Sequence, residues 1–180
     1  MRILRENTLA LIIDVQDRLF PHIYENETLE KNLIVLISGL KVLELPTLYT
    51  EQYPKGLGHT ISSINELLIG RIPIEKTAFS CCDEPVLLKS IVDSGKENII
   101  VAGIESHVCV LQTVIDLLQR GLRPVVIEDC VSSRKPNDKK IALKRMWREG
   151  AIVSTTESIL FELTRISGTE QFKSISKLVK

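Results

Sequence analysis

Short continuous apolar runs alternate along the chain with longer stretches in which apolar residues recur every three or four positions. Leu9-Ala-Leu-Ile-Ile13 is unbroken by polar residues, as a strand buried on both faces would be. Leu29, Leu33, Leu36, Leu40 and Leu43 follow at helical spacing, and Pro46 ends that helix. Thr47–Thr50 reads as a second strand. Tyr53–Thr60 carries Pro54, Gly56 and Gly58 and reads as a loop, with a short helical turn over Ile61–Leu68. Arg71–Phe79 reads as extended, and Pro73 places it at an edge or end of a sheet.

The same alternation continues to the C-terminal part. Pro85–Val92 reads as a helix with Asp83 as its cap and Gly95 as its stop. Asn98–Gly103 is a strand, His107–Leu118 a helix, Pro124–Ile127 a strand and Asp138–Arg148 a helix closed by Gly150. Ala151–Ser154 gives a last strand and Ser158–Arg165 a last helix, while the final dozen residues are polar and are expected to pack loosely. Strands separated by helices point to βαβ crossovers and a parallel sheet covered on both faces. The expectation is an α/β, three-layer α/β/α sandwich, Rossmann-like, around about six mainly parallel, doubly wound strands. Residues 1–180 read as one domain, without repeat, linker or low-complexity tract.

Composition adds little direction. Of 180 residues 44% are hydrophobic and 26% charged, and 23 basic residues balance 23 acidic ones. No overall field draws the chain to nucleic acid or to a membrane surface, so neither is expected as a partner. The polar start, Met1–Thr8, and the short run that follows it do not make a signal peptide or a membrane span, so a cytoplasmic location is expected. The four cysteines, Cys81, Cys82, Cys109 and Cys130, form no C-x-x-C pair or zinc-type spacing, and free thiols are the expectation in a reducing compartment.

In open α/β sheets functional groups gather beyond the carboxyl ends of the strands. Asp14 ends the first strand, Lys76 lies in the extended segment 71–79, and Cys109 follows the strand 98–103 in the first turn of the next helix. There the helix dipole and free amides would lower a thiol's pKa, and the same amides could hold an oxyanion. Each residue also has a plain structural reading. A free cysteine is usually a small buried apolar residue, an aspartate at a strand end often caps a turn, and a lone lysine is usually a solvated charge. Yet Asp14 interrupts a strongly apolar strand, where an unpaired charge would be costly.

Three ordered motifs resemble the isochorismatase-like cysteine hydrolases, which include nicotinamidases and N-carbamoylsarcosine amidase. They are Leu11-Ile-Ile-Asp14-Val-Gln-Asp-Arg-Leu-Phe20, Glu75-Lys76-Thr-Ala-Phe79-Ser80 and Val101-Ala-Gly103-Ile-Glu105-Ser-His-Val-Cys109-Val110. The resemblance runs from Leu9 to about Thr156. It implies Cys109 as nucleophile, Asp14 as the group that takes and returns protons, and Lys76 as the charge that supports both. It further implies a cis peptide between Ile104 and Glu105, an oxyanion site made by the backbone amides of Glu105 and Cys109, a thioester acyl-enzyme, and a homo-oligomer.

The chain departs from nicotinamidases, which hold a metal with an aspartate and two histidines after the second strand. Thr50-Glu51-Gln52-Tyr53-Pro54-Lys55-Gly56-Leu57-Gly58-His59 offers one carboxylate and one distant histidine, and the only other histidines are His22 and His107. No catalytic metal and no other cofactor are expected. That string resembles a subgroup of small members with unassigned substrates. Phe20, Gln52, Tyr53, Phe79 and His107 are candidates for the substrate pocket, each with a structural reading beside it: core for the phenylalanines, loop anchoring for Gln52 and Tyr53, a solvated helix start for His107. Ser132-Ser133-Arg134 could bind an anion or cap a helix.

The expected activity is hydrolysis of an amide or related non-peptide C–N bond in a small molecule. Two alternatives stand beside it: a thiol-based redox or detoxifying protein centred on Cys109, and a non-catalytic oligomeric binding module on the same fold.

Overall fold

The computed structural model describes residues 2–180. Six strands, β1 (Thr8–Ile13), β2 (Thr47–Gln52), β3 (Ile74–Lys76), β4 (Asn98–Ile104), β5 (Arg123–Ser132) and β6 (Ile152–Ser154), form one sheet in the order β3-β2-β1-β4-β5-β6. Every pairing is parallel. The helices are α1 (Asn26–Val42), α2 (Pro54–Leu57), α3 (Ser62–Asn65), α4 (Pro85–Asp93), α5 (Leu111–Gln119), α6 (Pro136–Glu149), α7 (Thr156–Thr164) and α8 (Glu170–Leu178). The strand order reverses between β1 and β4, so the crevice beyond their carboxyl ends is the topological switch point of the sheet.

Strand alternation divides the core into two layers. Ala10 and Ile12 of β1 pack with Leu33, Leu36 and Leu40 of α1 and with Ile159, Leu163 and Ile175 of α7 and α8. Leu9, Leu11 and Ile13 face the other way, onto Leu87 and Ile91 of α4, Val114 and Leu117 of α5 and Met146 of α6. Central β1 and β4 are buried at every position, which explains their unbroken apolar runs.

Gly103 sets the approach of the two central strands. It pairs with Ile13, its φ is +117°, and a Cβ there would lie 2.1 Å from the Ile13 carbonyl oxygen. Only glycine fits that closeness and that backbone region. On the other flank, β5 pairs Val126 with Val101 but Val131 with Gly103. The extra residues on β5 form a bulge that returns Val131 and Ser132 to the end of β4.

Several sequence expectations are corrected. The 53–60 segment is not irregular throughout, because Pro54–Leu57 makes a helical turn closed by the Gly58 amide on the Pro54 carbonyl, 2.9 Å. Helix α4 is capped by Glu84, which accepts from the Val86 amide, and not by Asp83. The last residues do not pack loosely. Thr169 caps α8 by accepting from the Phe172 amide, Ile175 is fully buried, and Phe172 lies 6.0 Å from Phe161 of α7. One buried side chain per two turns leaves α8 polar overall, so its anchoring face is faint in the sequence. No helix among the described residues is long and apolar enough to cross a membrane.

Candidate active site

The three main candidates meet at the carboxyl edge of the sheet. Asp14 follows the last residue of β1, Lys76 ends β3, and Cys109 lies just beyond β4. Asp14 holds a left-handed backbone, φ 52°, which turns the chain sharply off β1. Its amide donates to the Thr50 carbonyl at 3.2 Å and its carbonyl accepts from the Gln16 amide at 2.8 Å.

Asp14 and Lys76 form a buried ion pair. Lys76 Nζ donates to Asp14 Oδ2 at 2.7 Å, with the two residues 2% and 1% exposed respectively. The second carboxylate oxygen, Oδ1, accepts from Thr50 Oγ1 at 2.7 Å. Lys76 Nζ further faces Gln52 Oε1 at 2.6 Å and the carbonyls of Ala78 and Phe79 at 3.2 and 3.3 Å. Charge burial on this scale is tolerable only with such a complete set of partners. Burial opposes the Lys76 charge, but the charge and hydrogen bond of Asp14 help hold its pKa above the ordinary lysine value.

Cys109 is 7% exposed, and its thiol faces Gln52 Oε1 at 3.9 Å. Its pKa is pushed up, first by burial and then by the Asp14 charge, with Lys76 pulling the other way. This corrects the expectation of a lowered thiol. Cys109 does begin the helical region, but Ser106–Val110 is a π turn, with the Val110 amide reaching back to the Glu105 carbonyl at 3.2 Å before α5 starts. The adjacent carboxylate and the loss of water outweigh the dipole at this point. The raised pKa favours the protonated thiol, with the Asp14 carboxylate nearby.

The turn ahead of Cys109 is held from outside. The Ile104–Glu105 peptide is cis. Glu105 Oε1 accepts from Arg134 Nε at 2.9 Å and from the Arg134 amide at 3.3 Å. His107 Nδ1 lies 3.0 Å from Ser133 Oγ, so His107 is engaged with the β5–α6 connection. Ser132 donates its hydroxyl to the Tyr24 carbonyl at 2.8 Å. These contacts use Ser132, Ser133 and Arg134 as structural ties.

The remaining pocket candidates separate. Phe20 is buried in the α1 layer, on the opposite face of the sheet from Cys109. Tyr53 and Phe79 are about half exposed, at 55% and 54%, on the loops after β2 and β3. A cleft of about 350 Å³ lies along this edge, lined by Tyr53, Lys55, Glu75, Lys76, Thr77 and Glu84, so Lys76 borders it while Asp14 and Cys109 do not. Gln52 is in the centre of the cluster. Sequence reasoning missed Thr50 and the role of Gln16; the only signal was a polar side chain at a position where strand burial demands a partner.

Glu51, on the face of β2 away from Gln52, is buried and accepts from the Thr60 amide at 2.7 Å, Thr60 Oγ1 at 2.9 Å and His59 Nδ1 at 3.0 Å. Burial pushes its pKa up, but the Thr60 amide, His59 and the Thr60 hydroxyl together bring it below the ordinary value. The carboxylate and histidine of this region thus satisfy one another. Among the described residues no group of three or more His, Cys, Asp or Glu is placed to hold a metal ion.

Comparison with known proteins places this architecture. Residues 8–158 match the isochorismatase domain model. Isochorismatase family protein 1B of Dictyostelium discoideum is 38% identical over 185 residues, covering 99% of this chain and 89% of that protein. The MAR1 ribonuclease structure from Caenorhabditis elegans superposes with a TM-score of 0.93 at 39% identity, over 99% of this chain and 92% of that one. The YcaC gene product of Escherichia coli, an octameric hydrolase of unknown specificity, superposes with a TM-score of 0.93 at 21% identity, over 99% and 89%, a likeness of fold alone. Matched across most of its length by the domain model and nearly end to end by these relatives, the chain belongs to the isochorismatase family and has that family's hydrolase fold.

Proposed function

We propose that the protein is a cysteine hydrolase that cleaves an amide or related non-peptide C–N bond of a small molecule. The observation that carries this reading is the buried Asp14–Lys76 ion pair, with the Cys109 thiol against Gln52 Oε1, which accepts from the same Lys76 ammonium. A buried carboxylate and lysine are a costly way to tie strand ends together, and they suit a thiol that must lose and regain a proton.

In the reaction the Cys109 thiol gives its proton to Asp14 as the sulfur attacks the substrate carbonyl carbon. The C=O electron pair moves to oxygen, where the amides of Glu105 and Cys109 stabilise it. The tetrahedral intermediate collapses with loss of the amine, which takes the proton from Asp14. Water then gives a proton to Asp14 and attacks the thioester, and the departing sulfur recovers that proton. Lys76 keeps its charge throughout, offsetting negative charge that alternates between Asp14 and the sulfur. No step needs a cofactor.

A homo-oligomer, in a cytoplasmic setting, completes the proposal. The octameric assembly of the Escherichia coli neighbour supports self-association of this fold. RNA cleavage is a second reading, carried by the name of the Caenorhabditis elegans relative. The balance of 23 basic against 23 acidic residues supplies no general attraction for a polyanion.

A screen of small amides, carbamoyl compounds and nitriles for ammonia release tests the proposal, with a ribo-oligonucleotide in a parallel arm and Cys109→Ala as control. Ammonia release that disappears in Cys109→Ala is the expected result. Cleavage of the oligonucleotide alone, or ammonia release undiminished in Cys109→Ala, would overturn it.

A further inference from the structure

Gln52 was a candidate for contact with substrate, but both ends of its side-chain amide are already used within the protein. Oε1 faces Lys76 Nζ at 2.6 Å and Cys109 Sγ at 3.9 Å, and Nε2 donates to the Thr77 carbonyl at 2.7 Å. The partners fix which end is which. A flipped amide would set its NH2 against an ammonium and its oxygen against a carbonyl oxygen, two repulsive contacts in place of two hydrogen bonds. The backbone of Gln52 is fixed as well, since its amide donates to Gln16 Oε1 at 2.7 Å and its carbonyl accepts from Gln16 Nε2 at 3.0 Å.

We propose that Gln52 is a positioning residue that holds the Lys76 ammonium toward the Cys109 sulfur, and is not a substrate-binding group. The proposal rests on the cysteine hydrolase reading above. Lys76 has four acceptors around one ammonium, and three of them, Asp14 and the carbonyls of Ala78 and Phe79, would keep it without Gln52. Gln52 Oε1 is the acceptor that also lies against the thiol. Removing it lets the ammonium settle toward Asp14 and away from the sulfur, where it stabilises a forming thiolate less. A neutral acceptor is required at this point. A carboxylate would compete with Asp14 for Lys76 and place a second negative charge beside the sulfur.

The test is the pH dependence of Cys109 alkylation by iodoacetamide, followed by peptide mass spectrometry in the wild type, Gln52→Leu, Gln52→Glu and Asp14→Asn. Gln52→Glu should move the alkylation midpoint to higher pH by about one pH unit, and Gln52→Leu by less, because the thiol also loses the acceptor that favours its neutral form and this offsets part of the ammonium's retreat. Asp14→Asn should move it to lower pH. Thermal melts identify any variant that has not folded, and Gln52→Leu remains informative if the charged variant fails. A purely packing role would lower the melting temperature and leave the midpoint in place. Wild-type midpoints in both folded Gln52 variants, with Asp14→Asn shifted, would overturn this inference alone. An unshifted Asp14→Asn would overturn the hydrolase mechanism on which it rests.

Discussion

The side chain of Gln16 completes both main-chain hydrogen bonds of Gln52, accepting from its amide at 2.7 Å and donating to its carbonyl at 3.0 Å. Gln16 Nε2 also donates to the Gly58 carbonyl at 2.6 Å. One fully buried glutamine therefore ties the chain beyond β1 to the end of β2 and to the loop that follows it.

Gln16→Leu leaves the Gln52 amide and the Gln52 and Gly58 carbonyls without these partners. Each buried polar group left unpaired costs about 1–3 kcal/mol. Chemical denaturation should show a loss of at least about 2 kcal/mol, on the same reasoning. Stability equal to the wild type would mean that water or backbone movement restores those bonds.

Gly103→Ala should be among the most damaging single substitutions in the protein. The new Cβ would fall 2.1 Å from Ile13 O at a backbone φ of +117°. Either β1 and β4 separate or the strand rotates, and both displace the turn that carries Cys109. A loss of about 4 kcal/mol or more, or failure to fold, is the expected outcome in a thermal melt. An alanine variant that melts with the wild type would contradict the close approach of the two strands.

The thiol gives a signed prediction for pH. Burial and the Asp14 charge raise the Cys109 pKa, and Lys76 lowers it. Asp14→Asn removes a raising cause, so thiolate should form at lower pH although the proposed proton acceptor is gone. Lys76→Met removes the lowering cause and moves thiolate formation to higher pH. Alkylation profiles of the two variants should shift in opposite directions, each by about one pH unit or more. Shifts of the same sign would mean that the two charges do not act on the sulfur as the ion pair requires. Lys76→Met should also cost about 3–5 kcal/mol in urea denaturation, because it strands a buried carboxylate.

Much of the frame is legible in the sequence because burial is uniform along the central strands. Leu9–Ile13 reads as a two-sided strand since no position faces water, and Asp14 stands out against it for the same reason. Edge features are harder. β3 has only three paired residues, Ile74–Lys76, so most of the extended 71–79 segment lies outside the sheet. The helical turn at Pro54–Leu57 folds the chain back to bring His59 onto Glu51, a pairing that residue spacing does not reveal. Nearness to a helix start points to a lowered thiol pKa, but that is local information. The thiol's burial and the nearby carboxylate arise only when β1, β3 and β4 come together. Gln52 likewise looks like any polar loop residue until Lys76, Thr77 and Gln16 surround it.

The proposed hydrolysis turns on attack by Cys109 on a carbonyl and its acylation with help from Asp14. The most direct measurement is rapid acid quench after mixing with an activated small acyl donor, followed by mass spectrometry of the Cys109 peptide. An acyl mass on Cys109 within the first turnover is the expected result, with none in Cys109→Ala and a rate at least about 100-fold lower in Asp14→Asn, the scale of a lost proton acceptor. Acylation at another residue, or unimpaired turnover in Cys109→Ala, would contradict it.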